Sequence, residues 1–444
     1  TSETEAELIL SANKDISFLT LSDLPISFFS PQCVVYKDEI LICANDCYSY
    51  HTIKQEYKLI CSYPDNINLG EHNVMKIVNN NNPNDITLLS FGRESKMSKI
   101  LASYGYAQRY AHTLIMKYVS VWEEKDFKKD SYRNQWIQFT DNTKPLLTLE
   151  YKEDGVRALI GGSNNHLLFI TYLCNIDVFD LNTCKYINHS NLLINGNDCF
   201  VLRTENRLSN KIHEMVLFCE KMGLSIKYDE DKNELAFKNL TVCNDIAPFN
   251  TYTYVYVNDC ILFFGEFGNV FIKTVYKYSI KEKKWMKFEH TLPIRTRGSV
   301  AILSGNNKWI HIIGGYDDKN NIVLPIHRKT KVEDWMNKEE KERNEKEEIK
   351  IKKGEVEEER KNEDERAVKK LITKEEKKKW MTWWKERNEK EKQEIMDQFK
   401  TLDRSDFEKW LLKNNQWKNY LKKENLFVIC DVIDSYITYH TYEK

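Results

Sequence analysis

Residues 252–265 read YTYVYVNDCILFFG, and residues 275–293 read VYKYSIKEKKWMKFEHTLP. Two runs dense in Tyr, Val, Ile, Leu and Phe are divided by Asn-Asp. A third run ends at Tyr278, six mostly polar residues follow, and a fourth run opens at Trp285. Short β-branched and aromatic runs bounded by turn residues spell strands, and connections this brief make the strands antiparallel neighbours. The stretch therefore predicts one four-stranded meander of about fifty residues.

The same figure recurs upstream. A third run ends at Tyr50, Phe179, Tyr228 and Tyr278, and seven positions later stand Tyr57, Tyr186, Leu235 and Trp285. The intervening sixes are HTIKQE, DLNTCK, DEDKNE and SIKEKK. Phe179, Tyr228 and Tyr278 are spaced by 49 and 50 residues, and the 129 residues from Tyr50 to Phe179 leave room for one enlarged unit. Six units result. The sixth has GSVAILS, KWIHIIGG and IVLPIHRKTKV but lacks a fourth strand. ISFLTLSDLP (16–25), which ends like the fourth strands of other units, is the candidate to supply it. A ring of blades has a use for such a strand and a linear solenoid has none.

With that period, IHIIGGY (Gly314, Gly315) and the Tyr278-x6-Trp285 pair, the sequence resembles the Kelch-repeat β-propeller family, related at fold level to galactose oxidase. The double glycine is reduced to one in FFGEF (Gly265) and SFGR (Gly92), and it is replaced in ICAND and FCEKM. The fold class expected is all-β: a six-bladed Kelch-type β-propeller with four-stranded antiparallel blades, the N-terminal strand closing the last blade, and a charged α-helical C-terminal extension. Residues 1–15 are read as a tail and 16–331 as the propeller. Tyr278 and Trp285 are expected as blade core rather than ligand contacts.

Beyond residue 331 the composition changes. Between Asn337 and Lys379, 31 of 43 residues are charged, 16 basic and 15 acidic. Mixed signs at i,i+4 spacing support a solvated helix, and the stretch lacks the apolar seam of a coiled coil. It is read as a helical spacer over 332–372. Capping boxes at Thr373–Glu376 and Ser405–Glu408 introduce a Trp-rich helical hairpin over 373–425. Trp380, Trp383, Trp384, Trp410 and Trp417 are its expected interaction surface, and 426–444 stays undecided between strand and helix.

The 444 residues hold 66 Lys and Arg against 67 Asp and Glu, a formal charge of −1 that gives no drive towards nucleic acid or anionic membrane. No run of 18 apolar residues marks a membrane span, and TSETEAELIL shows neither a basic nor an apolar leader region. Eleven scattered cysteines without a CxxC pair fit reduced thiols, so a cytoplasmic location is expected. GxSxG, GxxxxGK, GxGxxG and HExxH are absent, and the copper-binding Tyr and His residues of galactose oxidase cannot be placed. Cys43 and Cys47, which flank a turn, read as buried thiols before they read as metal ligands.

The expectation is a non-catalytic protein-interaction scaffold or adaptor with no catalytic residue, cofactor or metal. A channel enzyme acting on a sugar or small metabolite is the rival reading, and a self-associating structural protein is a third. Loops after the second and fourth strands share one face, where binding residues concentrate. Arg93, Arg109, Arg295 and Arg297, with Phe267 and Tyr316, are the candidate partner-binding residues. The arginines suit an acidic peptide through bidentate contacts, or are solvated surface groups. The partner expected is a protein, with self-association through the tail left open.

Overall fold

The computed structural model describes residues 8–10, 16–65, 67, 69–79, 82–94, 110–123, 133–141, 144–145, 156–192, 199–203, 211–219, 221–246, 253–264, 274–293, 297–317, 319–337, 339–342, 382, 388, 390 and 397. The chain divides into two compact units, Thr1–Asn337 and Lys338–Lys444. In the second, residues 339–342, 382, 390 and 397 are helical. The Trp-rich segment's five named tryptophans lie outside the described residues. Among the described residues no helix is long and apolar enough to cross a membrane.

The first unit begins with β1 (Leu8–Leu10) and β2 (Leu19–Thr20). Blade 1 is β3 (Gln32–Tyr36), β4 (Glu39–Cys43), β5 (Asp46–His51) and β6 (Glu56–Ser62). Blade 2 is β7 (Leu69–Asn79), β8 (Asn82–Glu94), β9 (Tyr110–Tyr118) and β10 (Ile137–Gln138). The small hairpin of β11 (Thr140–Asp141) and β12 (Lys144–Pro145) follows. Blade 3 is β13 (Arg157–Gly161), β14 (Leu167–Tyr172), β15 (Asn175–Asp180) and β16 (Lys185–Asn191). Blade 4 is β17 (Cys199–Leu202), β18 (Ile212–Cys219), β19 (Met222–Asp229) and β20 (Glu234–Leu240). Blade 5 is β21 (Thr253–Val257), β22 (Cys260–Phe264), β23 (Thr274–Ser279) and β24 (Lys284–Thr291). Blade 6 has β25 (Val300–Leu303) and β26 (Trp309–Ile313), then a hairpin of β27 (Tyr316–Asp317) and β28 (Ile322–Val323), then β29 (His327–Lys331).

Each blade has a set of four antiparallel strands, and the six stand in a propeller ring. Blade 6 runs β25-β26-β29-β2, with Leu19 opposite Lys329 and Thr20 opposite Arg328. The N-terminal strand thus completes the last blade. Within IVLPIHRKTKV the strand starts only at His327, because Ile322 and Val323 pair with Asp317 and Tyr316 instead.

The seven-residue spacing is a register. Tyr50 faces Tyr57, Phe179 faces Tyr186, Tyr228 faces Leu235 and Tyr278 faces Trp285, each across the third and fourth strands of a blade. The sixes between them share one turn chemistry. The first residue accepts hydrogen bonds from amides two or three positions on. His51 Nδ1 takes those of Ile53 and Lys54, Asp180 those of Asn182 and Thr183, Asp229 those of Asp231 and Lys232, and Ser279 Oγ that of Glu282. The fifth residue, Gln55, Cys184, Asn233 or Lys283, is left-handed with φ of 56°, 53°, 54° and 55°. A side-chain acceptor that mimics a backbone turn is the reason polar residues open these connections.

The cores lie between blades. Tyr278 and Trp285 pack at 4.9 Å, each 1% exposed, and Trp285 Nε1 donates to Thr241 O at 2.9 Å. They are blade core, with Phe218 and Phe263 around them. Two features depart from the domain limits read in the sequence. β1 adds to blade 5 as a fifth strand, parallel to β24, inside what reads as a plain tail. A 3₁₀ turn, η1 (Val332–Trp335), follows β29, and its Trp335 is buried against Phe18, Phe264 and Phe288, so the compact unit runs to Asn337.

Candidate functional site: the loop face

Three loops meet where blade 6 joins blade 1. Gly314 (φ 65°) and Gly315 (φ 117°) end β26, and a Cβ on Gly314 would sit 2.7 Å from Phe28 O. Only glycine allows the approach by which Gly315 N reaches Phe28 O at 2.9 Å. Gly298 (φ 61°) similarly leaves room for the Phe29 ring and accepts from Ser30 N at 2.7 Å. Arg297 and Tyr316 exchange backbone hydrogen bonds of 3.1 and 2.8 Å. The loop entering blade 1, the loop entering blade 6 and the β26–β27 connection are thereby sewn into one surface.

On that surface the Arg297 guanidinium lies 4.8 Å from the Tyr316 ring centre and 5.8 Å from that of Phe29. The two rings meet edge-on at 6.1 Å. Each cation–π contact contributes about 0.5–1 kcal/mol at an exposed site, so Arg297 acts as a clamp that holds two aromatic side chains in place. Tyr316 also donates to Asn321 Oδ1. Phe29 is 51% exposed, and Ile322 and Val323, which pair with Asp317 and Tyr316, are 49% and 36% exposed. Asp317 caps the β27–β28 turn, and the Asn320 amide, with the Lys319 and Asn320 backbone, holds its carboxyl below the usual range.

Of the six residues expected to bind a partner, the fold brings Arg297 and Tyr316 together. Arg93 lies in β8 with only its backbone described, and Arg109, Phe267 and Arg295 lie outside the described residues. Phe29 is the residue that sequence reasoning passed over. Its signal was an aromatic in a loop between a fourth and a first strand.

A buried polar group stands at the same face in blade 2. Tyr63 OH donates to Ser90 Oγ at 2.8 Å, and Ser90 Oγ lies 3.2 Å from His112 Nε2. If the serine proton goes to Nε2, the imidazole proton sits on Nδ1, which finds no hydrogen-bond partner among the described residues. Burial, with His72 nearby, pushes His112 down to about 4. Ser90 and His112 hold the nucleophile–base relation, but Ser90 is fully buried, so the pair is a core network as it stands. Its histidines are forty residues apart in the chain, and only the register, His72 to Gly92 to His112, brings them together.

At the seam of blades 6 and 1, His311 Nδ1 lies 2.8 Å from His327 Nε2, and Tyr57 OH lies 2.5 Å from His327 Nδ1. Burial depresses His311 to about 4, with Lys329 adding to it, and pushes His327 well below its usual value, with His311 and Lys329 adding to that. Cys43 and Cys47 are register partners and fully buried, with Trp136 Nε1 donating to Cys47 Sγ at 3.3 Å. Burial raises the Cys47 thiol well above its usual value.

The inner strands bring Cys33, Val35, Met75, Ile77, Ala158, Ile160, Val300 and Ile302, all partly buried, against the blade cores. Among their charged neighbours, Lys76 is tied to Val35 O at 2.9 Å and Arg157 to Val156 O at 3.1 Å.

No protein-family model matches this chain, and no curated protein matches it. Among solved structures it is similar to one described as "Structure of YjhT", with 12% identity, a TM-score of 0.46, and 68% of this chain and 95% of that chain covered.

Proposed function

We propose that the propeller is a Kelch-type protein-interaction scaffold whose recognition surface is the loop face at the seam of blades 6 and 1. The observation that carries this reading is the Phe29–Arg297–Tyr316 cluster: two aromatics displayed at the surface and held by a backbone-tied arginine. Rigid aromatic anchors on a fixed scaffold are the residue types that dominate interface energetics. Because Arg297 is stacked between rings, it positions the anchors, and a partner's apolar side chain seated on Phe29 is the contact expected to matter most. In this reading the charged spacer and the Trp-rich segment at Trp380–Trp417 tether the scaffold or assemble it, and the protein works in the cytoplasm.

The test is quantitative affinity capture with the full chain and with its Phe29→Ala/Tyr316→Ala variant, both checked for equal melting temperature. A defined set of proteins retained by the wild type and lost roughly tenfold from the variant is expected, the size of loss typical of truncated anchor residues. Equal retention by both would remove the loop face from the reading.

A further inference from the structure

Three cysteines stand in one row across blade 1. Cys43 on β4 is the register partner of Cys47 on β5, and Cys47 is the register partner of Cys61 on β6. The second match depends on a bulge. Tyr48 faces Leu59, so an unbroken ladder would set Ile60 opposite Cys47; the register shift between Cys47 and Tyr48 sets Cys61 there instead. Directly opposed residues of antiparallel strands point to the same side, with Cα atoms about 4.5–5.5 Å apart, inside the roughly 4.4–6.8 Å that a disulfide spans. All three are free thiols. Cys47 makes thiol–thiol contacts with both neighbours, and Cys61 Sγ also lies 3.6 Å from Met116 Sδ.

Access is graded along the row. Cys43 and Cys47 are fully buried, while Cys61 is partly exposed on β6, the outermost strand of the blade, which contains no buried residue. Contact with Cys47 first and burial second hold the Cys61 thiol above its ordinary value, and burial does most to raise Cys47. The nucleophile in disulfide exchange is the thiolate. In the closed blade the row is therefore inert, and it reacts when β6 opens at the sheet edge, where few buried contacts resist local opening. That opening uncovers Cys61 first.

We propose that Cys47 and Cys61 form a redox site, at which a low-molecular-weight disulfide of the glutathione class oxidises the pair to a cross-strand disulfide that staples the outermost strand of blade 1 to its neighbour. Cys61 loses its proton to solvent and attacks one sulfur of the small disulfide, which releases one small thiol and leaves a mixed disulfide. Cys47, deprotonated in turn, attacks Cys61 Sγ, forms the Cys47–Cys61 bond and releases the second small thiol. Two protein thiols are oxidised and one small disulfide is reduced. The strand so fixed carries Tyr57, whose hydroxyl donates to Ser22 O at 3.2 Å and lies 2.5 Å from His327 Nδ1, so the staple holds the strand against which the ring closes. The reaction uses neither Phe29 nor Tyr316, and it stands or falls apart from the loop-face reading.

The test starts from the reduced full chain, incubated at neutral pH with oxidised glutathione and digested with trypsin in the absence of reductant. Lys54 and Lys58 lie between the two cysteines, so the new bond alone can hold the two peptides together, and fragmentation of the pair tells Cys47 from Cys43. Mass spectrometry is expected to find the Cys47–Cys61 pair, with the loss of two hydrogens, at a yield that rises with the proportion of oxidised glutathione. Exposed Cys174, carrying glutathione, shows that the oxidant is active. Hydrogen exchange at the β6 amides should slow in the oxidised chain. In Cys47→Ser the resolving thiol is gone, and glutathione should stay on Cys61. A wild-type chain in which Cys174 is modified and the Cys47–Cys61 link is absent overturns the proposal. So does a link that forms only in urea, or one that joins Cys43 and leaves Cys47 or Cys61 free. Each of these refutations is read on the wild type, so they hold even where the serine variant fails to fold.

Discussion

Acid should weaken the propeller well before its carboxylates titrate. His112 and His311 are both held near 4 by burial, against an ordinary value of 6.5, so each is neutral when folded and free to protonate when unfolded. A base with a depressed folded pKa gives its full stability above the unfolded pKa and loses it as pH falls towards the folded one; the window is pH 6.5 to 4. Between pH 7 and pH 5 the unfolded form of each gains about three-quarters of a proton while the folded form gains about a tenth. This costs about 2 kcal/mol per histidine, and about 4 kcal/mol for the two. His327, also held well below its usual value by burial and bonded to His311, adds to the loss in the same direction. Urea unfolding followed by the sheet's circular dichroism at the two pH values reads the effect. At a denaturant slope of about 3 kcal/mol/M the midpoint should fall by about 1 M. His112→Gln keeps an acceptor for Ser90 and removes the titration, so its midpoint should fall by roughly 0.6 M less than the wild type's over the same interval. A wild-type loss under about 1 kcal/mol, or a His112→Gln loss equal to it, would refute the reasoning.

Four further outcomes follow from the packing. Tyr118→Phe removes a donor from the buried Glu39 carboxylate, which also accepts from Ser49 at 2.6 Å, and should cost about 2 kcal/mol in thermal or urea unfolding; Tyr118→Phe with Glu39→Gln should cost less than the sum of the singles. Trp335→Ala should cost about 3–5 kcal/mol by the same measurement, and a chain ending at Lys331 should melt lower than one ending at Asn337. Gln55→Asn places at the left-handed turn position the residue type that blade 4 uses there, and should raise stability by up to about 1 kcal/mol. Phe29→Ala, half exposed and with no core role, should change the melting temperature little while weakening partner capture.

The parts of this molecule legible in sequence are those set by neighbours along the chain. A seven-residue gap between large side chains marks a hairpin because the turn fixes the register, and the His, Asp or Ser that opens each gap is the turn's own acceptor. Closure by the N-terminal strand was legible by subtraction, since blade 6 had three strands in sequence and β2 supplies the fourth. β1 was not legible, because three apolar residues carry no period and their partner lies some 275 residues on. Nor was the burial of Trp335, which sits among Glu333, Asp334 and Lys338 where composition already reads as solvated tail.

The candidate site was half legible for a different reason. Arginines and aromatics on the loops after second and fourth strands could be named, since strand order assigns every such loop to one face. Which of them meet depends on where the ring closes. Phe29 and Tyr316 stand almost three hundred positions apart in the sequence, and they touch because β2 joins β29 and draws the loop before β3 over the end of β26. The double glycine at 314–315 is the step that permits this: with a Cβ there, Phe28 O could not approach, and Phe29 would lose its place beside Arg297. The family-like glycines and the surface proposed for recognition are therefore one feature of the closure. Gly314→Ala should both lower the melting temperature and displace Phe29. A left-handed backbone and a 2.7 Å approach leave alanine strained at that position, at a cost of about 1–3 kcal/mol. If capture of partners survived Gly314→Ala while it was lost with Phe29→Ala, the aromatic would recognise its partner without the closure that positions it, and the link argued here between seam and site would be wrong.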